Sequence, residues 1–161
     1  MDDREKIHRI MRSFRKINRA LYQLLRQEAS ALDLTVAQIL ALRALEKKPN
    51  IGLGELAEWL QVSNSTMSGI VERLVKAGLI IREHSEADRR TLTMRLTPKG
   101  EAKQQEAFGD HSLLVNRLSG LLEIPEKDLE HLLQVHQQIL EILQRKGMKS
   151  SDEEIVFDAG D

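Results

Sequence analysis

The chain has 161 residues, a length that suits one domain or a small module with an appended helical part. It contains no cysteine, which excludes disulfides, cysteine-ligated zinc, iron–sulfur clusters and redox sensing through a thiol. The 24 basic side chains nearly balance the 25 acidic ones, and the net charge of −1 argues against a nucleic-acid partner, because such proteins are usually basic.

The apolar segments are short, and this excludes a membrane-spanning helix. The first residues are charged throughout and lack the apolar stretch of a secretory signal, so a cytoplasmic location is expected. An enzyme is also disfavoured, since the sequence has no nucleophile elbow, phosphate-binding loop or zinc-protease motif. No cofactor is expected.

Apolar residues recur at helical spacing along the N-terminal segment and predict one long amphipathic helix. They are Ile7, Ile10, Met11, Phe14, Ile17, Leu21, Leu24 and Leu25. A second helix is predicted after Thr35, because Thr35 and Gln38 have the spacing of a capping box. A short third helix has an apolar face that consists of Leu53, Leu56, Ala57 and Leu60.

The centre of the chain predicts a turn, a fourth helix and a β-hairpin. Small polar residues from Ser63 to Thr66 are typical of a helix start. The apolar stripe of the helix that follows consists of Met67, Ile70, Val71 and Leu74. Gly78 is expected to end this helix as a left-handed cap. Residues 79–84 and 92–96 then predict two strands joined by a polar loop, since apolar and polar residues alternate in the second.

The last third predicts further helices. Thr97 and Pro98 have the pattern of an N-cap and a first helical residue. One leucine stripe covers residues 114–122 and another, after Pro125, covers residues 129–143. The predicted fold class is mainly α with a small β-hairpin wing, a winged helix-turn-helix flanked by long terminal helices. Residues 148–161 are acidic and are expected to form a flexible tail.

This order of elements is typical of a module that binds double-stranded DNA. A helix fits the major groove when its exposed face is slim and polar, and the fourth helix begins with small hydrogen-bonding side chains. Arginines in the hairpin loop suit the negative potential of the minor groove. The candidate DNA-binding residues are Ser63, Asn64, Ser65, Thr66, Ser68, Arg73, Arg89 and Arg90.

Each candidate has a simpler explanation. In this explanation Ser63 is a helix cap and nothing more, and Arg73 is a solvated surface charge. Arg89 and Arg90 are then charges that keep a hairpin loop soluble, without a contact to DNA. The ordered set of helix-turn-helix, hairpin and long flanking helices favours DNA binding over these alternatives.

The most specific motif is Asp-Arg-Arg at residues 88–90, followed by Leu-Thr-Pro-Lys-Gly at residues 96–100. It resembles the Asp-x-Arg wing motif and the Leu-Thr-x-x-Gly pattern of the multiple antibiotic resistance regulator (MarR) family of winged-helix transcription factors. Weaker matches are residues 34–38, 54–60, 63–74 and 79–80. The resemblance extends over nearly the whole chain, from about Ile7 to Arg145.

The resemblance implies roles that spacing alone does not. The helix from Ser65 would be the recognition helix in the major groove, and Arg90 would enter the minor groove. Asp88 would organise the wing by pairing with a nearby arginine, for which Arg73 is the candidate. Arg73 could instead contact a phosphate. The family also implies an obligate homodimer and, in many members, release of DNA when a small molecule binds.

The sequence supports a homodimer independently, because a winged helix closes its core without the apolar stripes at the two termini. The predicted organisation is a helical dimerisation region at residues 1–30 and 104–147 around a DNA-binding domain at residues 31–103. Two recognition helices about one DNA turn apart predict a palindromic operator. The alternative is that the terminal helices pack only on their own domain.

The mode of regulation is open. The expected function is repression that is relieved by a small-molecule effector. The candidate residues for the effector pocket are Met11, Phe14, Tyr22 and Trp59. The simpler explanation of these four residues is ordinary core packing. A metal-responsive regulator would draw on His111, His131 and His136, but positions 131 and 136 do not share a helix face, and no metal site is predicted. A winged helix that contacts only protein is the further alternative, and it would favour apolar or aromatic anchors.

The near-neutral net charge conceals an uneven distribution. Residues 1–30 carry a net charge of +4, residues 63–103 carry +3 and residues 104–161 carry −7. The predicted recognition helix and hairpin therefore lie in a basic segment. The net charge of −1 therefore does not argue against specific DNA binding. It predicts only that the affinity for non-specific DNA is limited.

Overall fold

The computed structural model describes residues 2–84 and 92–144, and these residues divide into a first unit that ends at Ser119 and a second that begins at Gly120. The elements of the first unit are α1 (Asp3–Ala31), α2 (Val36–Lys47), β1 (Ile51–Gly52), α3 (Leu53–Leu60), α4 (Asn64–Lys76), β2 (Ile80–His84), β3 (Leu92–Leu96), α5 (Pro98–Phe108) and α6 (Leu113–Ser119). The second unit contains a 3-10 helix (Gly120–Glu123) and α7 (Glu126–Gln144). The predicted fold class, mainly helical with a small sheet, is confirmed. Within the described ranges, no helix has the length and apolar character needed to cross a membrane.

Local capping signals place the starts of α2 and α5 where the sequence predicts them. The Thr35 hydroxyl accepts a hydrogen bond from the Gln38 N–H at 3.2 Å, and the Gln38 side chain accepts one from the Thr35 N–H at 2.8 Å. This is the predicted capping box. Thr97 caps α5 by accepting from the Gly100 N–H at 3.0 Å, and Pro98 is the first residue of that helix.

The sheet has three antiparallel strands in the order β1-β3-β2. The predicted hairpin is present, and its register pairs Ile80 with Leu96 and His84 with Leu92. The third strand, β1, was not predicted, because two residues are too short to give a periodic signal. Leu92 is 49% exposed even though it follows the apolar alternation, whereas Met94 and Leu96 are buried.

The main core lies between α2, α3, α4 and the sheet. The four apolar residues predicted for the fourth helix, Met67, Ile70, Val71 and Leu74, are all buried there. A smaller core cluster consists of Ala29, Ile39 and Ala107, and it joins the end of α1 to α2 and α5. One face of α4 is therefore fixed by packing, which leaves its other face for binding.

The long first helix keeps much of its apolar stripe uncovered. Ile7, Ile10 and Ile17 are each more than half exposed, and Leu21 is partly exposed. In the second unit, α7 likewise has exposed leucines, with Leu133 66% and Leu143 75% accessible. These are the two apolar faces that the sequence assigns to a partner.

The predicted continuous helix over residues 114–122 is wrong beyond Ser119. The chain passes at Gly120 into a 3-10 helix, where Leu121 and Leu122 are exposed. Glycine is a poor residue for an α-helix interior, and Pro125 follows closely, so the α-helical pattern is not continued. The predicted helix after Pro125 is confirmed as α7.

A buried carboxylate ties α1 to α6 within the first unit. Glu28 is buried, and one of its oxygens accepts a hydrogen bond from the Leu114 backbone N–H at 2.9 Å. A first-turn N–H of a helix has no partner inside the helix, so a side chain from another element can satisfy it. The two partners lie 86 residues apart in the sequence, so no local pattern indicates this contact.

Candidate nucleic-acid interface

The helix-turn-helix is formed by α3 and α4 and the turn between them. Gln61 ends α3 in a left-handed conformation, with φ at 54°, so the chain reverses sharply before Ser63. Ser63 is the N-cap of α4, and its hydroxyl accepts a hydrogen bond from the Thr66 N–H at 3.1 Å. The predicted capping role of Ser63 is thus present.

The exposed face of α4 carries the predicted small polar residues. Asn64, Ser65 and Thr66 are exposed in the first turn, and Ser68 is half-buried in the next. The Ser63 and Thr66 hydroxyl oxygens lie 2.9 Å apart and share one hydrogen bond. Because these side chains are short, the positive end of the helix dipole and the first-turn N–H groups that Ser63 does not cap are accessible to an anion.

Arg73 is exposed in the last turn of α4. Its predicted partner Asp88 lies outside the described residues, as do Arg89 and Arg90, so the roles of these hairpin residues stay predictions.

The C-terminal end of α4 is capped and bonded to the beginning of α5. Gly78 has φ at +69°, as predicted for the left-handed cap, and its N–H and that of Leu79 bond back to the Val75 and Leu74 carbonyls. The Thr97 hydroxyl donates to the Gly78 carbonyl at 2.7 Å.

Lys99 adds a second side-chain bond at the same place, from its Nζ to the Ala77 carbonyl at 2.8 Å. The sequence predicts the cap at Gly78 and the cap at Thr97, but not that the two ends are bonded to each other. The nearest signal is the position of a lysine two residues after an N-cap, which is too common to interpret alone.

An ion pair not predicted from the sequence joins β2 to β3. Arg95 Nε and Nη2 donate to the two Glu83 carboxylate oxygens at 2.8 and 2.7 Å. The Arg95 guanidinium holds the pKa of Glu83 below its ordinary value through these hydrogen bonds, and the same bonds raise the pKa of Arg95. The pair has two parallel hydrogen bonds and connects side chains of the two strands, in addition to their backbone pairing.

The four candidate effector-binding residues differ in their surroundings. Met11 and Phe14 are half-buried in α1, whereas Tyr22 is 53% and Trp59 48% exposed. The explanation of Tyr22 and Trp59 as ordinary core residues is therefore wrong.

Two surface cavities within the first unit have volumes of about 660 and 620 Å³. The first lies along the end of α1, and the second lies between α2, β3 and α5. Neither is lined by Met11, Phe14, Tyr22 or Trp59. The effector site stays a prediction.

The three histidines considered as metal ligands belong to different units, His111 to the first and His131 and His136 to the second. His111 and His131 are exposed and His136 is half-buried. In the part of the chain that the structure describes, no three histidine or carboxylate side chains are grouped so that they could hold a metal ion.

The sequence of this chain is similar to that of known regulators. The model of the MarR family matches residues 34–92, which include α3, α4 and β2. The HTH-type transcriptional repressor MdtR of Bacillus subtilis is 30% identical over 116 residues, which is 71% of this chain and 75% of that protein. The transcriptional regulator HosA of Escherichia coli is 31% identical over 97 residues, which is 60% of this chain and 72% of that protein.

The fold is similar to that of solved structures. The wild-type MarR protein of E. coli in its apo form matches with a TM-score of 0.66 at 24% identity, over 80% of this chain and 94% of that chain. A variant of MepR from S. aureus, bound to an oligodeoxyribonucleotide, matches with a TM-score of 0.54 at 21% identity, over 84% of this chain and 98% of that chain.

Proposed function

Because this chain belongs to the MarR family of winged helix-turn-helix transcriptional regulators, we propose that it represses transcription by binding double-stranded DNA, with α4 as its recognition helix. The observation that carries this proposal is the division of α4 into two faces. Met67, Val71 and Leu74 are buried in the core, while the opposite face begins with exposed, small, hydrogen-bonding side chains. A helix of this kind fits the major groove without steric obstruction.

In this proposal, some contacts to DNA position the helix on the phosphate backbone, and others read the base sequence. Ser63, Asn64 and Thr66 surround the N-terminus of α4, where N–H groups and the helix dipole favour a phosphate. Ser65 and Ser68 lie where base edges would be reached, and Arg73 would contact the backbone further along the groove. Their short reach requires α4 to lie deep in the groove.

The hairpin supplies the second part of the site. Residues 88–90 are Asp-Arg-Arg, between β2 and β3 in the sequence. In this proposal Asp88 organises the wing, Arg89 contacts phosphates, and Arg90 enters the minor groove, where the potential favours arginine. The net charge of +3 over residues 63–103 gives the local attraction that the whole chain lacks.

The regulator would act as a homodimer on a palindromic operator. The exposed apolar faces of α1 and α7, each on its own unit, support this assembly, since surfaces of this kind are usually covered by another copy. Relief of repression by a small molecule is the expected mode of control, with Met11, Phe14, Tyr22 and Trp59 as candidate contacts. The relative MdtR is itself named a repressor.

The test is selection of duplexes from a random library by the purified chain, followed by gel-shift titration of the enriched sequence against a scrambled duplex. Arg90→Ala should weaken binding by about 1–3 kcal/mol, the range for a specific groove contact. Arg117→Ala, in the exposed last turn of α6, is the matched control and should leave affinity unchanged. Failure to enrich any sequence would exclude specific DNA binding, and unchanged affinity in Arg90→Ala would remove that residue from the site.

A further inference from the structure

The C-terminal end of α4 is held by the first residues of α5. Three consecutive carbonyls, those of Ala77, Gly78 and Leu79, each accept a hydrogen bond from this segment. Lys99 Nζ donates to the first at 2.8 Å, the Thr97 hydroxyl to the second at 2.7 Å, and the Thr97 N–H to the third at 3.0 Å. The two helices therefore share a continuous set of bonds at this point.

The Lys99 bond has a different character from the two made by Thr97. It brings a positive charge to the C-terminal end of α4, where the last carbonyls lack partners inside the helix and the dipole is negative. A lysine often caps its own helix in this way, but Lys99 belongs to another helix, 22 residues along the chain. The bond therefore connects the end of α4 to the first turn of α5.

The neighbouring contacts leave little freedom for a different arrangement. Gly100 packs against the Leu79 carbonyl so closely that an added Cβ would overlap it. The Gly78 and Leu79 N–H groups are engaged in the cap of α4. Of the three residues, Lys99 is exposed, Thr97 is half-buried and Gly100 is buried. A substitution at Lys99 therefore removes one bond and leaves the packed contacts of the other two residues in place.

We propose that Lys99 is a positioning residue for DNA recognition, which fixes the angle of α4 relative to α5. The proposal rests on the proposed function, in which α4 enters the major groove. Recognition by short side chains depends on the angle of the helix, since Ser65 and Ser68 reach base edges only when α4 lies deep in the groove. Electrostatic attraction to phosphates depends much less on that angle.

The variant Lys99→Met removes the charge and the donor but keeps an unbranched apolar side chain. For the full chain, affinity for a duplex enriched from a random library should fall about threefold to tenfold, the effect of losing part of one charged hydrogen bond. Affinity for a scrambled duplex of equal length should stay within twofold. The salt dependence of binding should keep its slope, because no phosphate contact is lost. Lys99→Arg, which keeps charge and donors, should restore most of the preference.

Lys103→Met is the matched control on the same helix. Lys103 lies one turn beyond Lys99, and its ammonium bonds only the Glu106 carboxylate at 2.9 Å among the described residues. The Lys103→Met variant removes the same charge from residues 63–103 as Lys99→Met does, so any effect of charge alone on affinity should appear equally in both variants. Its preference for the enriched duplex over the scrambled duplex should stay that of the wild type. Thermal unfolding of both variants shows whether a loss of affinity is only a loss of folded protein.

Amide hydrogen exchange provides a readout that needs no DNA. In Lys99→Met the Gly78 and Leu79 amides should exchange about threefold to tenfold faster, because the end of α4 opens more often when that bond is absent. Unchanged exchange together with unchanged preference would overturn the proposal. An equal loss on both duplexes with a reduced salt slope would also overturn it, since Lys99 would then contact a phosphate directly. If the wild-type chain enriches no sequence, the DNA-binding proposal fails, and the exchange rates alone decide whether Lys99 fixes α4.

Discussion

Gly100 shows how a single residue allows two helices to meet. The α5 backbone passes so close to the Leu79 carbonyl that a Cβ at position 100 would lie well inside contact distance of that oxygen. The Gly100 N–H donates a hydrogen bond to the Thr97 hydroxyl, which caps α5. The glycine of the Leu-Thr-x-x-Gly pattern is therefore required by a close approach of backbone to backbone and not by an unusual dihedral angle.

Replacement of Gly100 by alanine should destabilise the protein strongly. The overlapping atom belongs to the backbone and cannot rotate away, so α5 or the Leu79 peptide must move, at a cost of roughly 1–3 kcal/mol or more. Chemical denaturation monitored by circular dichroism measures this change. A loss below about 0.5 kcal/mol would mean that the two segments separate easily.

Gly69→Ala is the matched control for that experiment. Gly69 lies inside α4, and a Cβ there would meet nothing within 4 Å. Because alanine is the better helix former, this variant should gain about 0.5–1 kcal/mol of stability. If Gly100→Ala loses stability and Gly69→Ala gains it, the loss is due to the close approach of Gly100 to the Leu79 carbonyl.

At the scale of elements, a charge pair joins the two strands of the hairpin in addition to their backbone pairing. Glu83 and Arg95 are each about half exposed, so the pair is partly screened by solvent. Its two parallel hydrogen bonds lower the pKa of Glu83. A carboxyl group whose pKa is lowered by folding stabilises the folded state above its unfolded pKa, and this contribution is lost as the pH falls through the folded pKa.

The variant Glu83→Gln should therefore show a pH-dependent defect. Its thermal midpoint should lie slightly below that of the wild type at neutral pH, and the difference should shrink as acid protonates Glu83 in the wild type. Glu58→Gln, an exposed change on α3, should show no such trend. Thermal scans between pH 3 and pH 7 measure the difference, and a constant offset across that range would contradict a contribution from this carboxylate.

The elements that the sequence predicts are those with local signals. Thr35 and Gln38 specify the start of α2 within four residues, and Gly78 specifies the end of α4, because the side chains or dihedral angles that cap a helix act on its own backbone. Strand β1 has no such signal, since it forms only by pairing with β3. The bond from Glu28 to α6 likewise depends on tertiary packing.

The candidate site follows the same division. The face of α4 is predictable, because Met67 and Leu74 mark the buried side and the small polar residues must lie opposite. The Glu83–Arg95 pair and the Lys99 bond are not, since each joins positions whose proximity is set by strand register or by the approach of two helices. Asp88, Arg89 and Arg90 lie outside the described residues, so their prediction rests on the motif.

For the whole molecule, the central question is what covers the apolar stripe of α1. Ile10 is 51% and Ile17 52% exposed, and the two positions lie seven residues apart on the same side of the helix. Burying a large aliphatic side chain contributes about 1.5–3 kcal/mol, so leaving two of them in water forgoes a substantial part of the available stability. In a homodimer this free energy would instead stabilise the association.

The double variant Ile10→Gln and Ile17→Gln should weaken that association, because it replaces two apolar contacts with polar groups while keeping good helix formers. The dimer dissociation constant should rise at least tenfold, measured by sedimentation velocity over a range of protein concentrations.

The double variant Arg12→Gln and Arg19→Gln has the same spacing on the charged side of α1, where both residues are exposed, and it is the matched control. Because those arginines lie off the apolar stripe, it should leave the dissociation constant within about threefold. Equal effects of the two double variants would show that the stripe does not form the interface. A monomeric wild-type chain at micromolar concentration would remove the dimer itself, and with it the reason for an operator to be palindromic.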